Sequence, residues 1–560
     1  MQSSATTTES RLRPVDSLLL VTLFWALVYL PGLGTIEIQG EEGRRLLPAV
    51  TMVETGDWIV PMVGGQVYQR KPPLINWMAA VSFTVTGVIN EWTARLPSAL
   101  VTLALGLAVV GLTARWLGAT GALLAAVFTL GNISMIEKGR LAEIEAVYMV
   151  STGLAIVWWV TAWVRGASRW VTWLPAGLFL GLGMLAKGPV MLLFFYAAVL
   201  PTLFYGRRQG LSPGPMRTLV SLPHLLAFLL MLGVFALWAL PNLRATAGED
   251  TGAVWLQQFT ERIGAREESG ATGGFDVVHY LRQFPRAIIN FLPWALLLPL
   301  LWRRGVAEAM SGRERALFHG LRWGMVASFF LILLPPGSSS RFVMPMLVIP
   351  ALLLAMALAR SPEAWPAWLP RAWRAVLLPL AAILAAAALA CPWAGHWSPG
   401  AFLAAVVALA TATGIWRLRA RMATPLPLTL AVMALTVGVM AVYAGGVMPR
   451  LAPYDDVRPV VRELQPFLPP GEPLVALDAG FQPLFFYLRN PIVYVTRRSD
   501  VPPETRLLLV AEHKFDRAIP RDREVRGEPL LRVQEKGRRA LLLVELEPVA
   551  PCAGGDGRAR

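Results

Sequence analysis

Long runs without a charged residue recur along most of this chain, and they constrain its fold more than any other feature. A helix needs about 20 consecutive apolar residues to cross a bilayer core. Of the 560 residues, 55% are hydrophobic and 16% are charged, whereas soluble domains carry about 25% charged residues. We therefore expect an integral membrane all-α bundle. The charge-free runs are 17–36, 72–90, 96–114, 116–136, 146–164, 170–186, 188–206, 218–243, 287–302, 323–340, 342–359, 375–395, 397–416 and 422–449.

The loops between these runs indicate which of them cross the membrane. Lys and Arg accumulate on the cytoplasmic side, and one assignment places every arginine cluster there: 72–90 lies in the interface and the other thirteen runs span. Two prolines and recurring polar residues in 72–90 also suit a helix on the membrane surface. The first run is followed by no small-residue cleavage site, so we predict a retained span. The prediction is thirteen spans, the N-terminus in and the C-terminus out.

The chain divides into two predicted domains. Residues 1–449 form a transmembrane domain with two long outer loops, 37–91 with interfacial helices and 241–286. Residues 450–560 are less hydrophobic and predict a small soluble α/β domain outside the membrane. Within it we expect a helix at 454–467, strands at 473–477, 492–496 and 506–510, and a hairpin of 530–534 with 540–545.

Composition excludes several function classes. The net charge of +15 comes from arginines in short loops between apolar runs, so we expect no nucleic-acid partner. Two cysteines provide neither a disulfide framework nor a thiolate metal site. The five histidines show no ligand spacing. We expect no cofactor and no metal.

Acidic residues concentrate in two places that the topology puts on the same membrane face. Glu41 and Glu42 follow the first span, and Glu143 and Glu145 open a later one. An acid at a span end can be explained by the helix dipole and by solvent alone. Two carboxylate groups that converge on one face also suit an active site, because neighbouring charges tune their pKa values.

Isolated cations lie on that same outer face, against the usual inward bias. A lysine there can simply extend its amine to the interface. A bound anion explains the whole set better, and the headgroup of a polyprenyl phosphate fits, since Arg and Lys both bind phosphate. These cations are Lys71, Lys187, Arg262 and Arg341.

At these residues the chain resembles the bacterial aminoarabinose transferase and protein O-mannosyltransferase group of type-C (GT-C) glycosyltransferases. Seven sequence blocks carry the resemblance in the family's order over roughly residues 15–360. They are EEGR at 41–44, ETGDW at 54–58, YQRKPPL at 68–74, ARLPSAL at 94–100, RLAEIE at 140–145, LAKGP at 185–189 and LPW at 292–294. The resemblance implies a GT-C fold in the bacterial inner membrane, with the active site on the periplasmic face.

The resemblance also implies an activity and residue roles. A sugar would pass with inversion from a polyprenyl (undecaprenyl) phosphate donor, a substrate and not a cofactor, to an envelope acceptor such as lipid A, another glycan or lipid, or a protein. Glu41 and Glu145 match the family's catalytic Asp positions, with Glu42 and Glu143 as supporting residues. The donor-binding set would be Lys71, Lys187, Arg262 and Arg341, joined by Arg44 and Tyr68.

Two departures from the family pattern leave an alternative open. Glu replaces Asp at both catalytic positions, and a misplacement of about 1 Å can cost a site about a hundredfold in rate. Arg70 stands where aminoarabinose transferases have Glu, which favours a metal-independent site. The alternative is a catalytically degenerate protein that binds or transports a polyprenyl-phosphate sugar. The sequence names neither the sugar nor the acceptor, nor the oligomeric state.

Overall fold

The computed structural model describes residues 12–68, 71–247, 277–361, 366, 368–390, 398–422, 424–479, 483–488, 490–515, 519, 524–534 and 540–547. Helices dominate up to residue 464. They are α1 (Pro14–Tyr29), α2 (Gly43–Thr55), α3 (Leu74–Thr86), α4 (Glu91–Leu130), α5 (Ile133–Lys138), α6 (Ile144–Val164), α7 (Arg169–Lys187), α8 (Met191–Arg208), α9 (Pro215–Leu219), α10 (Leu222–Ala245), α11 (Val277–Ile289), α12 (Gly312–Leu333), α13 (Val348–Arg360), α14 (Trp368–Ala390), α15 (Pro399–Leu418), α16 (Pro425–Val442), α17 (Met448–Asp455) and α18 (Arg458–Leu464). The 3₁₀ helices Trp294–Trp302 and Ser340–Met346 lie between them.

The described helices account for a multi-pass membrane protein. Eight of them are long and apolar enough to cross a bilayer, or up to ten if each of two bent helix pairs makes one span. The predicted run 96–114 and most of the run 116–136 fall in α4, whose 40 residues would reach about 60 Å as one straight helix. Gly118 breaks the helical conformation with φ 79°, so α4 consists of two joined helices. The count of thirteen spans and their orientation stay predictions.

Two apolar helices are shorter than a bilayer requires. Helix α3 has 13 residues and reaches about 20 Å, against a hydrocarbon core of about 30 Å. This agrees with the predicted surface position of 72–90. Helix α1 has 16 residues, whereas the sequence predicts a span over 17–36. The helix ends at Tyr29 because Pro31 and Gly32, with φ 67°, turn the chain.

Helices α6 and α7 form an antiparallel hairpin at the centre of the bundle. Helix α6 has 21 residues, and about 30 Å of helix is enough to cross a bilayer core. Its buried face packs on α4 and α7, in the main hydrophobic core. Glu145 in its first turn meets Lys187 at the end of α7, while Arg165 and Arg169 lie at the opposite end of the hairpin.

The C-terminal region is an α/β unit with a five-stranded sheet. Its strands are β3 (Leu474–Leu477), β4 (Ile492–Val495), β5 (Leu507–Ala511), β6 (Leu531–Val533) and β7 (Leu541–Glu545), with helix α19 (Leu484–Tyr487) between β3 and β4. The sheet order is β4-β3-β5-β7-β6. Strand β3 pairs in parallel with β4 and β5, and β7 pairs antiparallel with β5 and β6. All five predicted strands and the hairpin are confirmed.

The helix predicted at 454–467 is divided in the structure. Asp456 is extended, with ψ 116°, and ends α17. Helix α18 then begins at Arg458, where Pro459 occupies an early position that needs no backbone N–H. A 3₁₀ turn, Gln465–Phe467, completes the segment.

The C-terminal unit packs directly on the first loop of the membrane domain. A hairpin of β1 (Met62–Val63) and β2 (Gln66–Val67) in that loop meets the edge strand β4. The Tyr494 backbone N–H donates to the Gly64 carbonyl at 2.8 Å, and the Gln66 amide donates to the Tyr494 carbonyl at 2.9 Å. The Glu37 carboxylate accepts from the backbone N–H of Val457. The first loop is therefore held between the two parts of the chain.

A glycine pair in the β1–β2 turn gives a test of this docking. Gly64 and Gly65 both have positive φ, 57° and 77°. A Cβ on Gly64 would lie 1.8 Å from the Tyr494 ring, whereas one on Gly65 meets nothing within 4 Å. We expect Gly64→Ala to destabilise the protein by about 1–3 kcal/mol more than Gly65→Ala, because only the former is overpacked. Thermal unfolding and limited proteolysis of the C-terminal unit measure this; equal effects would contradict the docking.

Candidate active site

A buried ion pair joins the first loop to α4, and its carboxylate also contacts the segment that precedes α6. Both carboxylate oxygens of Glu42 accept from Arg95, at 2.8 and 2.7 Å. The same carboxylate accepts from the backbone N–H groups of Ala142, at 2.9 Å, and Gln39, at 3.1 Å. The side chains of Glu42 and Arg95 are 1% and 4% exposed. The two predicted carboxylate segments, 41–42 and 143–145, are thus tied together by direct contact.

Arg95 has no donor left for a ligand. Besides the two hydrogen bonds to Glu42, its remaining N–H groups donate to the backbone carbonyls of Leu33, Ile36 and Glu37 at 2.6–2.9 Å. A guanidinium carries five N–H donors, and all five are used. This pair therefore fixes the path of the chain from α1 to α2 and is not placed to contact substrate.

Glu41 belongs to a separate network on the first loop. Its two oxygens pair with Arg44 at 3.2 Å and with Arg45 at 3.3 Å. Arg45 also donates to the hydroxyl of Tyr68 at 2.6 Å. Tyr68 is buried in the core that the first loop shares with the C-terminal unit. Glu41 itself is 38% exposed.

Lys138 bridges two carboxylates at the end of α5. Its amine lies 3.0 Å from Glu137 and 3.1 Å from Glu143. Burial lowers the pKa of Lys138, but the charges of Glu143 and Glu137 outweigh it, so that the pKa is raised overall. Burial raises the pKa of Glu143, and the charges of Glu145 and Glu42 raise it as well. The charge of Lys138 lowers this pKa but does not outweigh the other effects, so the pKa is raised overall. The ionisation of Glu143 therefore depends on the charges of Glu145 and Glu42.

Three predicted site residues converge on one cavity, of about 120 Å³. Lys187 lies 2.8 Å from the Glu145 carboxylate and above the rings of Tyr148 and Phe342, at 5.7 and 5.8 Å. The third residue is Arg341. Apolar side chains form the remaining wall, among them Met149, Val190, Phe194, Ile332, Met344 and Pro345. Two cations and one carboxylate at the rim of an apolar cavity suit an amphiphile with an anionic head.

A second and larger cavity, of about 870 Å³, is lined in part by the 137–143 segment. Its polar end carries Glu137, Arg140 and Glu143, together with the Glu42–Arg95 pair. Its long walls are apolar and come from the chain after α1, from α14 and α16, and from the chain around Pro293. Members of those walls include Leu33, Trp373, Leu377, Val432, Val439 and Met440.

The other predicted site residues lie elsewhere or outside the described residues. Glu41 lines neither of these two cavities. Lys71 precedes α3 and is half-buried. Arg262, like Arg70, lies outside the described residues. Within the described ranges, no group of three or more His, Cys, Asp or Glu side chains could hold a metal ion.

Several residues that shape this region have no role predicted from the sequence. Arg95 and Arg140 stand in matched blocks, but no role follows from those blocks alone. Arg140 donates to the carbonyls of Val28, at 2.8 Å, and Pro31, where α1 ends. A charged residue next to an apolar run is the one available signal, since a buried charge requires partners. The aromatic rings of Tyr148 and Phe342 carry no such signal.

The bundle with its α/β unit has the fold of the type-C glycosyltransferases. The structure superimposes on ArnT from Cupriavidus metallidurans, solved bound to undecaprenyl phosphate, with a TM-score of 0.67. The match covers 94% of this chain and 97% of that one at 19% sequence identity. The same protein in its apo state gives a TM-score of 0.66.

Sequence comparison shows similarity to one group of these enzymes. Residues 70–239 match the dolichyl-phosphate-mannose-protein mannosyltransferase family. The undecaprenyl phosphate-α-4-amino-4-deoxy-L-arabinose arabinosyl transferase of Pectobacterium carotovorum is 28% identical over 348 residues, 61% of this chain. The match spans 58% of that relative's length. The predicted resemblance to aminoarabinose transferases and protein mannosyltransferases is therefore confirmed.

Proposed function

We propose that this chain is a membrane glycosyltransferase that takes a sugar from a polyprenyl-phosphate donor and transfers it to an envelope acceptor. The observation that carries the proposal is the meeting of Glu145, Lys187 and Arg341 at one apolar cavity. The cavity holds about four waters at about 30 Å³ each, so it suits a phosphate head and leaves the sugar to extend outside it. The relatives named above act on undecaprenyl-phosphate and dolichyl-phosphate sugars, which supports this donor class.

The chemistry follows from charge. When the bond between the anomeric carbon and the phosphate breaks, negative charge builds on the leaving polyprenyl phosphate. Lys187 and Arg341 would stabilise that charge, which is commonly the largest catalytic contribution. Glu145 would hold Lys187 in place and contact the sugar. Glu41 lies between Gly40 and Glu42, which line the larger cavity, and would orient the acceptor from the first loop. The acceptor would displace the phosphate with inversion.

The α6–α7 hairpin supports an active site on the periplasmic face. Glu145 and Lys187 lie at one end of the hairpin, and Arg165 and Arg169 at the other. The positive-inside rule assigns the arginine end to the cytoplasm. The site and the C-terminal unit would then face outward from the bacterial inner membrane. Metal independence stays a prediction from sequence. So does the binding of the donor phosphate by Lys71 and Arg262.

The proposal is tested with the purified full-length chain in lipid nanodiscs. The donors are undecaprenyl-phosphate 4-amino-4-deoxy-L-arabinose and a polyprenyl-phosphate mannose, and envelope membranes from a deletion strain supply acceptors. We expect sugar transfer and release of polyprenyl phosphate with one of the two donors. Binding of both donors without transfer would instead favour a binding or transport protein.

Glu41→Gln tests the role proposed for the first loop. The substitution weakens the pairs with Arg44 and Arg45, so we expect a fall of about a hundredfold in kcat, because the acceptor is no longer held in line. Binding of undecaprenyl phosphate should be unchanged. Glu512→Gln, which alters an exposed pair with Arg532, is the matched control. Normal turnover of Glu41→Gln would remove Glu41 from the mechanism.

A further inference from the structure

The polar end of the larger cavity is a second place where chemistry could occur. Glu143 lines this cavity, is 8% exposed as a residue, and lies two residues before Glu145, which lines the smaller cavity. The two cavities are therefore joined by a short stretch of chain that carries one carboxylate at each. A transferase with two substrates needs two such places, one for the donor phosphate and one for the acceptor.

Glu143 has the geometry of a group that can accept a proton. In the described part of the chain its one polar contact is the ion pair of Oε2 with Lys138, at 3.1 Å, which leaves Oε1 without a donor. Glu41 differs, because each of its oxygens already pairs with an arginine. Glu42 differs as well, since it accepts four hydrogen bonds. Among these acids, Glu143 combines burial, a cavity and a free oxygen.

We propose that the acceptor reacts through a hydroxyl group and that Glu143 takes its proton. This inference rests on the proposed function above. The hydroxyl oxygen forms the new bond to the anomeric carbon, and the bond from that carbon to the phosphate oxygen breaks. The electron pair of the broken bond leaves with the polyprenyl phosphate, and the hydroxyl proton passes to the Glu143 carboxylate.

The charges around the cavity favour a neutral nucleophile over a phosphate. A phosphate acceptor would meet the carboxylates of Glu137 and Glu143. Of the cations beside them, Lys138 is paired with both carboxylates, and Arg140 uses two of its five donors on backbone carbonyls. A phosphate is already an anionic nucleophile and needs no base, whereas a hydroxyl does. A buried carboxylate beside the acceptor cavity therefore suits the hydroxyl.

The first test removes the base and follows the pH profile. We expect Glu143→Gln to lower kcat by about 10²–10⁴-fold, with undecaprenyl-phosphate affinity unchanged. The Glu143 side chain makes no capping hydrogen bond to α6, so the substitution leaves that helix end intact. In the wild type, kcat/KM should rise with pH as Glu143 loses its proton. This rise, the acidic limb of the pH profile, should be missing in Glu143→Gln.

Lys138 supplies the discriminating variant. The groups that face Glu143 are Lys138 and Glu137 from α5, Glu145 from α6, Arg140 from the connecting loop, and Glu42 with its partner Arg95. Lys138 is the cation that lowers the Glu143 pKa, so Lys138→Gln should shift the acidic limb to higher pH. A merely structural role would lower the rate without moving the limb. An unmoved limb, or full activity of Glu143→Gln, would overturn the base assignment.

The second test identifies the linkage made by the wild type. The labelled product formed with envelope membranes is treated with mild acid, which cleaves a sugar attached to phosphate and spares one attached to a hydroxyl. We expect an acid-resistant product. An acid-labile product would overturn the hydroxyl acceptor while leaving the proposed glycosyltransferase intact. Absence of any wild-type transfer would count against the proposed function itself and, with it, this inference.

Discussion

Replacing Lys187 by methionine is expected to lower kcat/KM for a polyprenyl-phosphate donor by at least a hundredfold. The ammonium lies between the Glu145 carboxylate and the proposed phosphate position. Its loss removes a charge-assisted contact and leaves Glu145 unbalanced, to repel the phosphate. Removing one fixed donor that stabilises developing negative charge lowers kcat by about 10²–10³-fold in other enzymes. Steady-state kinetics with labelled donor measure the effect.

A double variant separates the two contributions. Adding Glu145→Gln to Lys187→Met removes the unbalanced carboxylate, so affinity for undecaprenyl phosphate should recover in part, while kcat stays low. Lys187→Arg should keep the charge and lose less than Lys187→Met. If the donor KM of Lys187→Met equalled that of the wild type, the lysine would serve only to reach the membrane interface, and the phosphate site would lie elsewhere.

The second large effect concerns stability. Arg95→Ala is expected to destabilise the protein by about 3–5 kcal/mol, because it leaves the buried Glu42 carboxylate and three backbone carbonyls without their donor. The carbonyls lie between α1 and α2, so the first loop should loosen before the bundle does. Thermal unfolding in detergent, combined with hydrogen exchange of the first loop, measures both effects.

Arg532→Ala is the matched control for Arg95→Ala. Arg532 pairs with Glu512 through two hydrogen bonds at 2.8 and 2.9 Å, close to the geometry of the Arg95–Glu42 pair. Its side chain is 56% exposed, however, and surface pairs of this kind add little to stability. A similar loss in both variants would show that the Arg95 pair owes nothing to its burial.

The parts of the fold that local patterns encode could be predicted from the sequence. Apolar runs locate α6, α7, α8, α10 and α15 to within a few residues, and short apolar runs bounded by turn residues locate the strands β3 to β7. Helix α12 begins at Gly312, eleven residues before the predicted run 323–340. The misplaced boundaries have local causes. Helix α4 breaks at Gly118, three residues after Arg115, which separates the two predicted runs. Helix α1 ends at Tyr29, before Pro31, whereas the predicted run continues to residue 36. The path of the first loop depends on contacts with residues more than 400 positions away, such as Tyr494 with Gly64, which no local pattern encodes.

The candidate site could be predicted only in part, for the same reason. The pairing of Lys187 with Glu145 follows from topology, because both residues end neighbouring helices on one face. The sequence could not distinguish Glu41 from Glu42: successive residues at a helix start point in directions about 100° apart, so one neighbour is buried and the other is exposed. The buried partner is fixed by Arg95, 53 residues further along.

The most direct test of the central claim is a cryo-electron microscopy structure of the full-length chain with undecaprenyl phosphate. We predict that the phosphate lies within hydrogen-bond distance of the Lys187 amine and the Arg341 guanidinium, with the prenyl chain along the apolar wall of the smaller cavity. A phosphate bound away from both cations would contradict the account.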